Sequence, residues 1–89
     1  MTLFLILKKE WFDMIASGEK KEEYREIKPF WTKRLLNRNY DDIIFQLGYA
    51  KDAPRIRVAF EGIETKIPNP EWSGGYSESC YAIKLGSIL

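Results

Sequence analysis

The stretch RIRVAFEGIETKI alternates apolar and polar residues as a half-buried strand must, but its apolar phase slips. Ile56, Val58 and Phe60 stand on one parity, Ile63, Thr65 and Ile67 on the other. One extra residue near Glu61 and Gly62 accounts for the slip. An extra residue in one strand is a β-bulge, which bends that strand and increases its twist. A sheet built on it curls, so the chain is expected to wrap its strands around a barrel rather than lay them flat.

The remaining segments fit such a sheet. TLFLILK is a continuous apolar run of strand length and reads as a central strand buried on both faces. In KEWFDMIASG, Trp11, Met14 and Ile15 recur at helical spacing, and Gly18 stands where a helix stops. KKEEYREI has no helical stripe; read as extended chain, it sets Glu23 and Arg25 on one face and Tyr24 on the other. Pro29 opens a second helix, PFWTKRLLN. DIIFQLGY alternates, with Ile43, Phe45, Leu47 and Tyr49 on one side. PNPEWSGGYSES reads as a long turn-rich loop carrying Trp72 and Tyr76, and in CYAIKLGSIL the residues Tyr81, Ile83 and Leu85 share a face of the last strand. The sum is a small α+β protein, a mixed β-barrel of about five strands with two short helices.

With 89 residues, the chain is expected to be a single domain, 1–89, and its 45% hydrophobic and 15% aromatic content is ample for one core. The formal charge of +1 gives no global field for non-specific nucleic-acid binding. Nine of the 14 Lys/Arg but six of the 13 Asp/Glu fall in the first forty residues, which allows a modest basic face suited to one nucleotide or a short strand. Cys80 is alone, so no internal disulfide forms, and MTLFLILKKE is too short for a membrane span or signal peptide; a cytoplasmic location without membrane contact is expected. Histidine is absent, which removes the usual general base and the commonest metal ligand, and neither metal nor cofactor is expected.

Gly18, Lys20, Glu23 and Arg25 together spell G-x-K-x-x-E-x-R after a first strand and a short helix. That arrangement resembles the ASCH domain family, whose fold is related to the PUA domains of RNA-modifying proteins, and KPFWTKRL and NPEW resemble further marks of one small bacterial or phage-type branch. The resemblance spans the whole chain. It implies a PUA-like barrel with a cleft into which Lys20, Glu23 and Arg25 point, and binding of RNA, a nucleotide or a nucleoside. Some members of the family hydrolyse N(4)-acetylcytidine with the motif lysine, a threonine and a separate glutamate. Here Lys20 matches the lysine, and Glu23 stands where those hydrolases have threonine.

Taken by itself, the run KKEEYRE reads as solvated ion pairs worth little; the resemblance reverses that reading for Lys20, Glu23 and Arg25. In a partly dry cleft, desolvation and Arg25 loosen the Lys20 proton while Glu23 holds it, so Lys20 is a candidate general base, nucleophile or phosphate clamp, with Glu23 its catalytic partner in an enzyme. Trp72 on the loop is a candidate stacking platform, Asn69 beside it a base-edge partner, and Tyr76 a further lining residue. Lys21, Glu19, Glu22 and Glu26 read as a solvated face, Trp11, Trp31 and Tyr24 as core, and Cys80 as a buried small hydrophobe. Lys28, Lys33 and Arg34 either meet phosphates or keep the second helix solvated. Glu61, at the bulge, either turns into the cleft or faces outward. Three functions stay open: RNA or nucleotide binding, amide hydrolysis on an acylated nucleobase, and binding of a small anionic metabolite.

Overall fold

In a computed structural model describing all 89 residues, the chain runs β1 (Thr2–Leu7), α1 (Lys9–Ala16), β2 (Glu22–Glu26), α2 (Pro29–Leu35), β3 (Asp42–Leu47), β4 (Arg55–Lys66), α3 (Pro70–Ser73) and β5 (Cys80–Ile88). The five strands form one sheet in the order β1-β3-β4-β5-β2. β1 and β3 are parallel, and every other pairing is antiparallel. The sheet curls into a half-barrel around a core made by Leu3, Leu5 and Leu7 of β1, Ile43 and Phe45 of β3, Val58 of β4 and Tyr81, Ile83 and Leu85 of β5. Phe12 and Ile15 of α1 and Leu35 of α2 complete it.

The curl comes from β4. Its pairing with β5 shifts between Val58 and Phe60 and again between Phe60 and Gly62, so the phase slip in the sequence is a bulged strand. Gly62 adopts a φ of +118°, a region that a side chain would strain, and this frees the backbone to re-aim. Beyond the bulge the expected apolar face is only partly used: Ile63 is half-buried, while Thr65 and Ile67 are exposed.

β1 is not the central strand that its apolar run suggested. It lies at the sheet edge, with Leu3, Leu5 and Leu7 inward and Thr2 and Phe4 exposed. The strand covered on both faces is β5, in which Cys80, Tyr81, Ala82 and Ile83 are all buried; its outward Cys80 and Ala82 are small and sit between the longer cross-strand neighbours Lys66 and Tyr24.

The helices follow their punctuation. α1 ends before Gly18 and buries Phe12 and Ile15, leaving Trp11 and Met14 half-buried at the flank of the stripe. α2 has Pro29 in its first turn, and Thr32 shares a 2.6 Å hydrogen bond with the Tyr81 hydroxyl, which seats the helix on β5 and satisfies the phenol. The segment read as a loop holds a third helix, the single turn α3. Asn69 caps it by accepting from the Glu71 amide at 3.0 Å, Pro70 opens it and Gly74 stops it.

β1 and β2 are the two edges of the sheet and do not pair, so the barrel stays open along one seam. That follows from the crossover: the chain leaves β1 through α1, reaches the far edge as β2, and returns through α2 to lay β3 beside β1.

Candidate functional site

The seam is where the motif residues gather. The Lys20 amide donates to the Met14 carbonyl at the end of α1, and the Leu85 amide donates to the Lys21 carbonyl, so Lys20 is fixed at the junction between helix and edge strand. From there its side chain runs inward. Glu23, one residue into the β2 pairing with β5, also points inward because the strand alternates.

Both residues are buried, at 3% exposure each. Lys20 Nζ donates to Glu23 Oε1 at 2.6 Å, and Arg25 Nη1 donates to Glu23 Oε2 at 2.8 Å and to the Tyr24 carbonyl at 2.8 Å. The Lys20 ammonium lies 4.1 Å from the centre of the Trp11 ring and 5.5 Å from that of Tyr24. The Arg25 guanidinium lies 5.1 Å from the Trp31 ring centre. One carboxylate therefore serves two cations, and the aromatic faces stabilise those cations without cancelling the positive charge left over.

Burial pulls the Lys20 pKa below the ordinary lysine value of 10.5, with Arg25 helping; the charge and hydrogen bond of Glu23, and more weakly Glu10, oppose it. Burial raises the Tyr76 hydroxyl, with Glu26 adding to it. Burial likewise raises the Cys80 thiol, which keeps it protonated and out of nucleophilic chemistry.

Lys20, Glu23, Arg25, Trp11 and Tyr24 line a cleft of about 190 Å³ together with Ile6 and Leu7 from the opposite edge, Lys8, Ser73 and Tyr76. That is smaller than the roughly 300–1,000 Å³ of sites for drug-sized ligands, and suits one ring with its substituents. A wider groove of about 680 Å³ opens on the other side of Lys20, lined by Glu19, Lys21, Glu22, Glu61, Lys66, Trp72 and Lys84. The α3 loop straddles the lysine, with Trp72 on the groove side and Ser73 and Tyr76 on the cleft side.

Of the residues singled out in the sequence, Lys20, Glu23, Arg25 and Tyr76 come together at the cleft. Trp72 does not join them there but borders the groove, and Asn69 is spent on capping α3 in an exposed position. Glu61 swings out at the bulge over β5, where its carboxylate oxygen lies 2.6 Å from where a Cβ on Gly86 would stand, and it lines the groove rather than the cleft. Trp11, read as core, packs against the core and is also a wall of the cleft, and Tyr24, read as core, is half-buried in that wall. No spacing rule links Trp11 to Lys20; the contact arises because the turn after α1 brings Lys20 back against the helix, its amide bonded to the Met14 carbonyl.

Glu22 is not on a solvated face. It accepts from Lys66 Nζ and from the Tyr24 hydroxyl, each at 2.9 Å. Burial raises its pKa, but these two hydrogen bonds and the Lys66 and Lys84 charges outweigh that and hold it below the usual 4.5. The same bond to Glu22 raises Lys66. Burial and Glu22 push the Tyr24 hydroxyl well above 10, so Tyr24 is a fixed neutral donor. No group of three or more His, Cys, Asp or Glu side chains is placed to hold a metal ion, and no helix is long and apolar enough to cross a membrane. The chain matches no protein-family model, no curated protein and no solved structure with which it was compared.

Proposed function

We propose that the cleft over Lys20, Glu23 and Arg25 binds a nucleobase or nucleotide, free or as part of a single RNA strand. The observation that carries this reading is the charge count of the buried network: two cations share one carboxylate beside three aromatic walls, Trp11, Tyr24 and Tyr76. A planar ring entering the cleft would meet these walls and the Lys20 ammonium that lies over Trp11 and Tyr24. The uncompensated positive charge favours an acceptor edge or an anionic group, and Lys8, also lining the cleft, adds a third cation for a phosphate. The G-x-K-x-x-E-x-R resemblance to ASCH domains points the same way, toward RNA or nucleotides. The test is titration of the four ribonucleotides and short RNAs by calorimetry. Arg25→Ala should weaken binding by about 1.5–3 kcal/mol, the scale of a charged hydrogen bond, whereas Lys21→Ala, exposed and outside the cleft, should change little. Equal losses for the two would replace the cleft with a diffuse basic surface.

A second reading, amide hydrolysis on an acylated nucleobase such as N(4)-acetylcytidine, is favoured by one observation: burial loosens the Lys20 proton, as a general base or nucleophile requires. Glu23 works against it by holding the ammonium. Release of cytidine from N(4)-acetylcytidine that Lys20→Ala abolishes and Glu23→Thr preserves would establish the hydrolase. No turnover by either wild type or Glu23→Thr would leave the binding function alone.

A further inference from the structure

Beside the cleft, on the outer face of the β1 edge, lies a second concavity of about 420 Å³ that the motif does not account for. It is lined by Phe4, Leu5 and Ile6 of β1, Arg25, Phe30, Trp31 and Arg34 around α2, and Tyr49. Its composition is unusual for a surface: four aromatic rings, two arginines and no carboxylate. Phe4 is 45%, Phe30 53% and Tyr49 86% exposed, so three of those rings reach solvent, Phe30 with the Arg34 guanidinium over its ring. Scattered single aromatics are ordinary on a surface; a contiguous set is a mark of contact with another molecule.

Arg25 is paired with Glu23, but the other cations around these rings, Arg34 and Arg55, are held in place without being neutralised. The Arg34 guanidinium lies 3.5 Å from the Phe30 ring centre and donates to the Phe30 carbonyl at 3.0 Å. Arg55, cross-strand from Gln46, donates through Nε to the Gln46 side-chain oxygen at 2.9 Å and lies 5.2 Å from the Phe4 ring centre. Neither Arg34 nor Arg55 forms an ion pair with any carboxylate. A protein partner with an apolar anchor would use the rings but leave the arginines without counter-charge. A strand of nucleic acid supplies both a π-face and a phosphate at each step.

We propose that this aromatic and arginine surface is a stacking platform for single-stranded nucleic acid, receiving the nucleotides next to the one held in the cleft. The two concavities meet at Arg25, which lines both. The proposal deepens the cleft reading: it makes the ligand a strand rather than a free nucleotide, with Phe30, Phe4 and Tyr49 taking bases and Arg34 and Arg55 taking phosphates. Stacking on ring faces reads no 2′-hydroxyl, so the platform's share of the affinity is the same for RNA and DNA strands.

The experiment compares mononucleotides with a mixed-sequence strand of about six nucleotides, within the span one small domain covers, by calorimetry and fluorescence anisotropy. The longer strand should bind more tightly than any mononucleotide. Phe30→Ala and Tyr49→Ala should each weaken the longer strand by about 5- to 150-fold, the range for one lost base stack, with mononucleotide affinity unchanged. Arg34→Ala and Arg55→Ala should each lower the slope of log affinity against log salt by about 0.7. All four positions are exposed, and circular dichroism confirms that the variants fold. The platform is overturned if the longer strand gains nothing over a mononucleotide, if Phe30→Ala and Tyr49→Ala leave it unaffected, or if a duplex of equal length, whose bases are already stacked, binds as well. Sedimentation showing a dimer that Tyr49→Ala disperses would assign the surface to a second copy instead. Failure of the cleft reading looks different: mononucleotides would not bind, while the longer strand would still bind and still respond to Phe30 and Tyr49.

Discussion

Lys20 Nζ and Glu23 Oε1 are 2.6 Å apart with their side chains 2% and 4% exposed, so the pair lies deep in the wall of the cleft rather than on the protein surface. Its geometry sets the stability of the site as well as its charge. Arg25 holds the second carboxylate oxygen from a less buried position, and the network is therefore asymmetric about Glu23.

The asymmetry orders the costs of breaking it. Glu23→Ala strands two cations, one of them buried, and should destabilise by about 3–5 kcal/mol, the scale for removing one partner of a buried pair. Lys20→Met leaves Glu23 bonded to Arg25 and should cost less, about 1–3 kcal/mol. Urea unfolding midpoints check the order; a Lys20→Met variant less stable than Glu23→Ala would show that Arg25 does not hold the carboxylate.

Lys20 also gives the protein an alkaline signature. Its folded pKa lies below 10.5, so between the two values the unfolded chain keeps a proton that the folded chain has released, and stability from this group rises with pH toward 10.5. Wild type should therefore gain on Lys20→Met as pH is raised through that window. Denaturant melts of both proteins at several alkaline pH values measure the difference, and a gap that stays flat would mean that burial does not loosen the proton.

At the acid end the sensitive group is Glu22. Its folded pKa lies below 4.5, so its contribution is present above 4.5 and lost as pH falls through the folded value. Glu22→Gln should be less stable than wild type at neutral pH and should lose less on acidification. Thermal melts from neutral pH to about pH 3 follow this. Because Lys66 is 40% exposed, solvent screening keeps the effect modest.

The bulge makes a steric prediction. A Cβ on Gly86 would stand 2.6 Å from Glu61 Oε1 and 3.0 Å from the Ala59 Cβ. Gly86→Ala should cost about 1–3 kcal/mol, as overpacking does. Adding Glu61→Ala should recover only part of that, since Glu61 is a flexible chain that can swing away while Ala59 is fixed to β4. A double-mutant cycle in urea measures the coupling, and full recovery would mean that the Ala59 contact is soft.

The local signals in the sequence were physical and carried through. The phase slip at Glu61 and Gly62 is a bulge, Pro29 opens α2, α1 stops before Gly18, and along β2 Arg25 bonds Glu23 while Tyr24 bonds Glu22, as alternation requires. Each depends on backbone geometry within a few residues, which the residue types themselves dictate. What needed the tertiary structure depends on which elements become neighbours. Whether β1 is central or an edge, whether Trp11 is core or the wall over Lys20, and whether Glu22 is solvated or bonded to Lys66 follow from a crossover that puts β1 and β2 at opposite edges of one curled sheet. Periodicity fixes which way a side chain points along its own strand or helix; only the packing of that element against the others decides whether it meets water, a ring or an opposite charge.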